Sequence, residues 1–429
     1  MAPVAGLIRR ALPTTAVALL AAAALVYVGW LLSVSRLWHL FLPEDWLIIV
    51  GRSDPSVATL LEPFNGHWLT LTIAAHQVMI RVFGLESNLP FLLAETGVHL
   101  ACVATVTLLV RRYAGWVAGA ASGLVLLTLG AAYEDLFWFM QVGFIGPTCL
   151  GLAAVGLADA VEWSRIRWTV IASLLIAGVM FSGVGLVMLG VIGLYLLGSR
   201  RVLVVAPAAA AYLLWATIWP SGYLLAGNGD PVSFAITVVT VLGDGFLGTG
   251  GPRAALVAVA IAAAAVALAA GWRPHRLTIA AAVGVVMIYV GVGIRGDWLP
   301  ELAKPSRYVY PAVALVLVGL APIIHLAPIG LRVAAATLFI TVLFTNVSTL
   351  GRAAIGWERA NLFFRAQTTA VEESGVSSAA MVEPIGLHAA DYLGAISRFG
   401  VPERSTELEA RLARPEMQAY ADAMRRRIA

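Results

Sequence analysis

Apolar residues run along this chain in long stretches broken by short polar turns, and nowhere do they show the period-two alternation of barrel strands. Stretches near the roughly 20 residues that cross a bilayer as a helix occupy residues 12–34, 89–110, 114–131, 142–161, 202–219, 252–270, 277–294, 308–326 and 331–350. Between "WSRIRW" (163–168) and "GSRR" (198–201) the apolar run is too long for one span and short for two, and "FSGVG" interrupts it. Two basic flanks on one side require an even number of crossings. This run therefore predicts two short helices joined at Ser182 and Gly183, where small residues permit a tight turn. The segment 232–248 is apolar but short and broken by "GDGFLGTGGP", and reads as an interfacial helix.

The whole pattern predicts an all-α polytopic membrane protein: a transmembrane domain over residues 1–350 with about 11 spans, then a small soluble segment over 351–429 ending in an amphipathic helix. The first loop, 35–88, is long. Its stretch "GHWLTLTIAAHQVMIRVFGL" is apolar on one face and predicts a helix lying in the membrane interface, anchored by Trp68. The aromatics of "LFWF" (136–139) read as an interface belt.

Composition agrees, since 60% of the 429 residues are hydrophobic and 12% charged, outside the range of soluble domains. Cys102 and Cys149 both fall inside apolar runs, which leaves no disulfide framework and no Cys-based metal site. The positive charge comes almost wholly from arginine, in clusters between spans, which suits topology signals and not nucleic-acid binding. Placing Arg9–Arg10, Arg111–Arg112 and "WSRIRW" in the cytoplasm puts the N-terminus there as well, and the span count then puts the C-terminal segment outside. On the same count Glu44, Asp45, Asp54, Glu62, Glu86, Glu134, Asp135, Asp230, Asp244, Asp297 and Glu301 fall outside. The cytoplasmic loops hold mainly arginine, with Asp159 and Glu162 beside it, so a chemical site is expected on the outer face.

Taken alone, each outer feature has two readings. Glu44 and Asp45 suit a reactive pair or a helix cap; Glu134 and Asp135 suit a site or a solvated turn; Arg307 suits an anion site or an interfacial anchor. His67 beside Trp68 is a candidate substrate contact, while His76 reads as a packed interfacial histidine.

In order and spacing, "PEDW" (43–46), "GHW" (66–68), "YED" (133–135), "LFW" and "QVGF" after it, "FSGVGLVML" and "SRYVY" (306–310) resemble the GT-C class of membrane glycosyltransferases, in particular bacterial, mannosyltransferase-like members, over roughly residues 12–326. The resemblance implies transfer of a sugar from a polyprenyl-phosphate donor to a glycan or lipid acceptor of the cell envelope, at the outer face of a bacterial cytoplasmic membrane. It implies Asp45 as general base on the acceptor or as a metal ligand, with Glu44 its partner. Glu134 and Asp135 become a metal or acceptor site, for which Mg²⁺ or Mn²⁺ is the fitting ion because both take hard oxygen ligands. Arg307 and Tyr308 become the donor-phosphate site, a guanidinium fork matching phosphate oxygens. Two other function classes remain: a non-catalytic transporter or flippase of a lipid-linked glycan, for which Glu95 and His99, four residues apart in one span, are the intramembrane candidates, and a scaffold in an envelope complex. No class involves nucleic acid.

Overall fold

The computed structural model describes residues 2–38, 42–54, 56–160, 162–220, 274–296, 306–326, 329–375, 381–382, 387–402 and 404–428. The expected span at 252–270, the interfacial segment at 232–248, and Asp230, Asp244, Asp297 and Glu301 lie outside the described residues. The rest is almost wholly helical, as an apolar medium demands of a backbone that must satisfy its own hydrogen bonds.

Helix α1 (Ala2–Val34) leads into the first loop, which folds as α2 (Pro43–Gly51), α3 (Val57–Leu61) and α4 (Thr70–Phe83). Between α3 and α4 the chain reverses at Asn65 and Gly66, both at positive φ, as a two-residue hairpin turn requires. Phe64 and His67 pair across it through backbone bonds of 3.1 and 2.9 Å. The turn is held from α2's end by Arg52, which donates to the carbonyls of Thr59, Glu62 and Pro63.

Helix α5 (Leu89–Leu127) is broken at Gly115, at φ 86°, into a first limb before that residue and a second limb after it. A Cβ added at Gly123 would lie 2.3 Å from the Thr107 hydroxyl. In a straight helix those residues would stand about 24 Å apart, so the two limbs run antiparallel. Short α6 (Tyr133–Phe137) caps the return, and α7 (Val142–Ala158) descends again. Helices α8 (Arg165–Phe181) and α9 (Val184–Tyr195) then meet at Ser182 and Gly183, and α10 (Ala206–Ile218) follows. Later helices cover Arg276–Gly296, Val309–Leu326 and Ile329–Ser374. Among the described residues, six helical stretches are long and apolar enough to cross a membrane, with three shorter apolar helices beside them.

The bundle has two chemically different ends. At one, Arg112 bonds the Gly156 carbonyl and lies 3.1 Å from Asp159, Arg201 bonds the Ala160 carbonyl, and Arg276 bonds the Leu197 carbonyl. At the other lie the acidic turns of α2 and α6. The last helix of the bundle passes residue 351 without a break and runs on to Ser374. The chain beyond it packs on the acidic end: Tyr392 lies 5.1 Å from Trp46 of α2, and Leu85 donates to the Phe399 carbonyl at 2.9 Å. Gly84 makes that approach possible, since a Cβ there would meet the Phe399 oxygen at 2.5 Å. Arg365, Glu372, Tyr392 and Arg404 tie this C-terminal segment to the long helix through a mostly buried ion network.

Candidate functional site

Glu44 and Asp45 occupy the first turn of α2, directly behind Pro43, where acidic side chains suit the helix N-terminus. Successive helical positions point about 100° apart, and the two carboxylates separate accordingly. Asp45 turns inward and is 2% exposed. Its Oδ2 accepts from the Leu42 backbone N–H at 2.8 Å and from the indole N–H of Trp138 at 2.7 Å. Its Oδ1 lies 2.9 Å from Nε2 of His76, whose Nδ1 is 3.0 Å from the Thr72 carbonyl oxygen. One carboxylate thereby joins α2, α4 and the turn after α6. Glu44 turns aside, its side chain 30% exposed and its carboxylate 4.0 Å from the Arg307 guanidinium. Burial raises its carboxyl above the usual range, Asp45 adds to the rise, and its own backbone N–H and Arg307 oppose it.

The second pair repeats the division. Asp135 is fully buried, and neither of its oxygens has a hydrogen-bond partner among the described residues. Glu134 is less buried, with its backbone N–H donating to the Ser306 hydroxyl at 3.0 Å. Burial raises both carboxyls, Asp135 well above the usual range, with the neighbouring Glu134 adding to it and Arg307 pulling both down. Arg307 is therefore the cation shared by the two acidic turns. It lies in the short 3-10 turn Ser306–Tyr308, 5.8 Å from the Tyr308 ring centre, and Tyr308 in turn packs edge-on against Phe144 of α7. The three motifs "PEDW", "YED" and "SRYVY" meet here. No group of three His, Cys, Asp or Glu residues with metal-holding geometry occurs among the described residues.

No family model and no curated protein matches the sequence. Solved structures do. A crystal structure of ArnT from Cupriavidus metallidurans bound to undecaprenyl phosphate superposes with a TM-score of 0.53 and 16% identity, over 94% of this chain and 88% of that one. The apo crystal structure of the same protein gives a TM-score of 0.51 and 16% identity over 93% and 88%. ArnT is a GT-C glycosyltransferase. The fold of this chain is the GT-C fold. At this identity the likeness is one of architecture, and the roles of individual residues rest on their own geometry.

The other predicted residues have contacts of their own, and Glu95 lies within electrostatic reach of Asp135 and Asp45. The His67 ring packs on Gly183, where an added Cβ would come within 3.1 Å of Nδ1. Trp68 is buried face to face on Trp215, 5.4 Å away and 3° from parallel, and donates to the Thr70 hydroxyl at 2.7 Å. These contacts are with the α8–α9 turn and α10, and Ser182 of that turn bonds the Gly143 carbonyl, next to the Phe144 that packs on Tyr308. Glu95 and His99 share a helix face without bonding each other: His99 lies 2.8 Å from the Tyr310 hydroxyl and 3.3 Å from the Leu127 carbonyl, while both Glu95 oxygens are buried with no partner among the described residues.

Two residues of the site escape the sequence reading. The aromatic run at 136–139 is no interface belt: Phe137 packs edge-on against Trp38 at 4.7 Å and Trp138 points its N–H at Asp45. His76 is packed, as expected, but against a carboxylate. These partners stand 93 and 31 residues from Asp45, and no spacing rule connects them. The one signal is composition: a buried carboxylate needs donors, and "LFWF" and "AAHQ" are two of several stretches on the predicted outer side that hold side-chain N–H groups.

Proposed function

We propose that this chain is a membrane glycosyltransferase that moves a sugar from a polyprenyl-phosphate donor to a cell-envelope acceptor at the outer face of a bacterial cytoplasmic membrane. The observation that carries the reading is Arg307, set between two acidic turns at one end of a GT-C bundle whose solved neighbour is bound to undecaprenyl phosphate. A guanidinium there offers a fork of donors to a lipid phosphate, and its carboxylate neighbours would be displaced or protonated as the anion arrives.

The reaction asks for a base that can reach solvent and for neutralisation of a departing phosphate. Glu44 takes the part of base in place of Asp45, because Asp45 is buried with its oxygens occupied by three partners, whereas Glu44 faces Arg307 with its carboxyl raised by burial toward the working range. The acceptor hydroxyl gives its proton to Glu44 as its oxygen bonds to the anomeric carbon of the sugar. The bond from that carbon to the phosphate oxygen breaks, and the electron pair leaves on the phosphate, where Arg307 offsets the charge. Asp45 fixes the helix that presents Glu44. Oε2 of Glu134 and both oxygens of Asp135, without a hydrogen-bond partner among the described residues, are the atoms that would hold a divalent ion; among the described residues no third such group lies with them, and no step above passes through a metal.

Glu44→Gln in the purified protein is expected to reduce transfer from a polyprenyl-phosphate sugar by about 10²–10⁴-fold, with retention of the folded state checked by its melting temperature. Transfer at the wild-type rate would remove Glu44 from the mechanism.

A further inference from the structure

The arginine-rich end carries a feature that sugar transfer at the opposite end does not use. Between the first limb of α5 and α7 lies an open groove of about 520 Å³, lined by Leu108, Leu109, Leu152, Ala153 and Leu157, with Thr105 at one end and Arg111 and Arg112 at the other. Thr105 to Arg111 is about 9 Å along the helix, the reach of part of an acyl chain. The Arg111 guanidinium lies 4.0 Å from the Trp116 ring centre, and Arg201 lies over Trp163 at the same end. Tryptophan and arginine together mark the headgroup level of a bilayer. The apolar part of the groove would then lie at the depth of the hydrocarbon, open to an acyl chain.

The mouth chooses the headgroup. Arg112 is engaged by Asp159 at 3.1 Å and by the Gly156 carbonyl, which leaves Arg111 as the cation facing the groove opening. Asp159 itself is drawn further by the Tyr195 hydroxyl. Among the described residues around the mouth, arginines outnumber carboxylates, which favours an anionic phosphate over a zwitterionic headgroup. We propose that this groove is a binding site for an anionic phospholipid, with one acyl chain between α5 and α7 and its phosphate against Arg111. Along α5, Arg111 stands about 18 Å from His99, which lies 2.8 Å from the hydroxyl of Tyr310 just beyond the Arg307 turn, and the site stands or falls independently of the transferase reading.

The test uses the full chain purified in detergent and titrated with phosphatidylglycerol or with phosphatidylcholine, bound lipid being read by native mass spectrometry and melting temperature. One phosphatidylglycerol is expected to bind about fivefold more tightly than phosphatidylcholine. Arg111→Ala should abolish that preference and Arg111→Lys should restore most of it, since the exposed side chain carries charge and not core packing. Ala153→Trp, which fills the groove, should weaken binding of both lipids while leaving the preference of any residual binding intact. Equal affinity for the two lipids overturns the proposal, as does an unchanged preference in Arg111→Ala. Competition by inorganic phosphate as effective as that by the lipid also overturns it, because the acyl chain would then contribute nothing.

Discussion

The two acidic turns are built alike and finished differently. Each presents one glutamate toward Arg307 and sends the following aspartate into the interior, so Asp45 and Asp135 are matched in residue type, burial and local helix position. Asp45 meets two N–H donors and a histidine ring nitrogen, from three separate segments. The Asp135 oxygens have no hydrogen-bond partner from another segment among the described residues. Burial alone therefore does not tell what a carboxylate is for. Donors turn the first into a tie across the outer loops, and their absence turns the second into a group held in its neutral form or reserved for a cation.

The largest effect expected of this contrast follows Asp45→Ala. It leaves the indole N–H of Trp138, the Leu42 N–H and His76 without their shared acceptor, and removing one side of a buried charged pair costs about 3–5 kcal/mol. Melting in detergent should show it. Asp45→Asn is much milder, about 1 kcal/mol, because the amide oxygen accepts from Leu42 and Trp138 while its NH₂ donates to Nε2 of a neutral His76 whose Nδ1–H bonds the Thr72 carbonyl. If Asn proves as damaging as Ala, the charge and not the hydrogen-bond set is what holds the turn.

A smaller loss tests one strand of the same knot. Trp138→Phe keeps the ring but removes the donor at 2.7 Å, a bond to a charged acceptor worth about 1.5–3 kcal/mol. Combined with Asp45→Ala it should add little, since the interaction is already gone. Full additivity would mean that Trp138 stabilises the fold through its neighbours alone.

Much of this was legible in the residues. The apolar helices among the described residues, the hairpin at Ser182–Gly183 and the acidic and basic ends follow from runs of apolar residues and from where arginine interrupts them, because a bilayer imposes one length and one secondary structure. The meeting of "PEDW", "YED" and "SRYVY" was also expected from their common side. What the sequence withheld was orientation within a turn: it offered Asp45 and Glu44 as neighbours without saying which faces Arg307. Helical phase separates the two, and only the packing of α4 and the loop after α6 decides which direction is inward. His76 and Trp138 were hidden for the same reason, being partners by tertiary contact and not by spacing.

The smallest effect belongs to Asp135 and is a slope. Its carboxyl is raised well above its ordinary value of 3.8 by burial and by Glu134. Between that value and the raised one, the unfolded chain has lost this proton and the folded chain keeps it, so folding takes up a proton and stability falls as pH rises. The stabilising contribution is complete below the ordinary value and disappears as pH climbs through the raised one. Asp135→Asn holds the neutral shape at every pH and should remove about 1 kcal/mol per pH unit of that decline, read as melting temperature against pH from acid to neutral. If Asp135→Asn leaves the slope unchanged, the decline belongs to the raised carboxyls of Glu44 and Glu134, and Asp135 is ionised against a counter-charge it acquires only in the membrane.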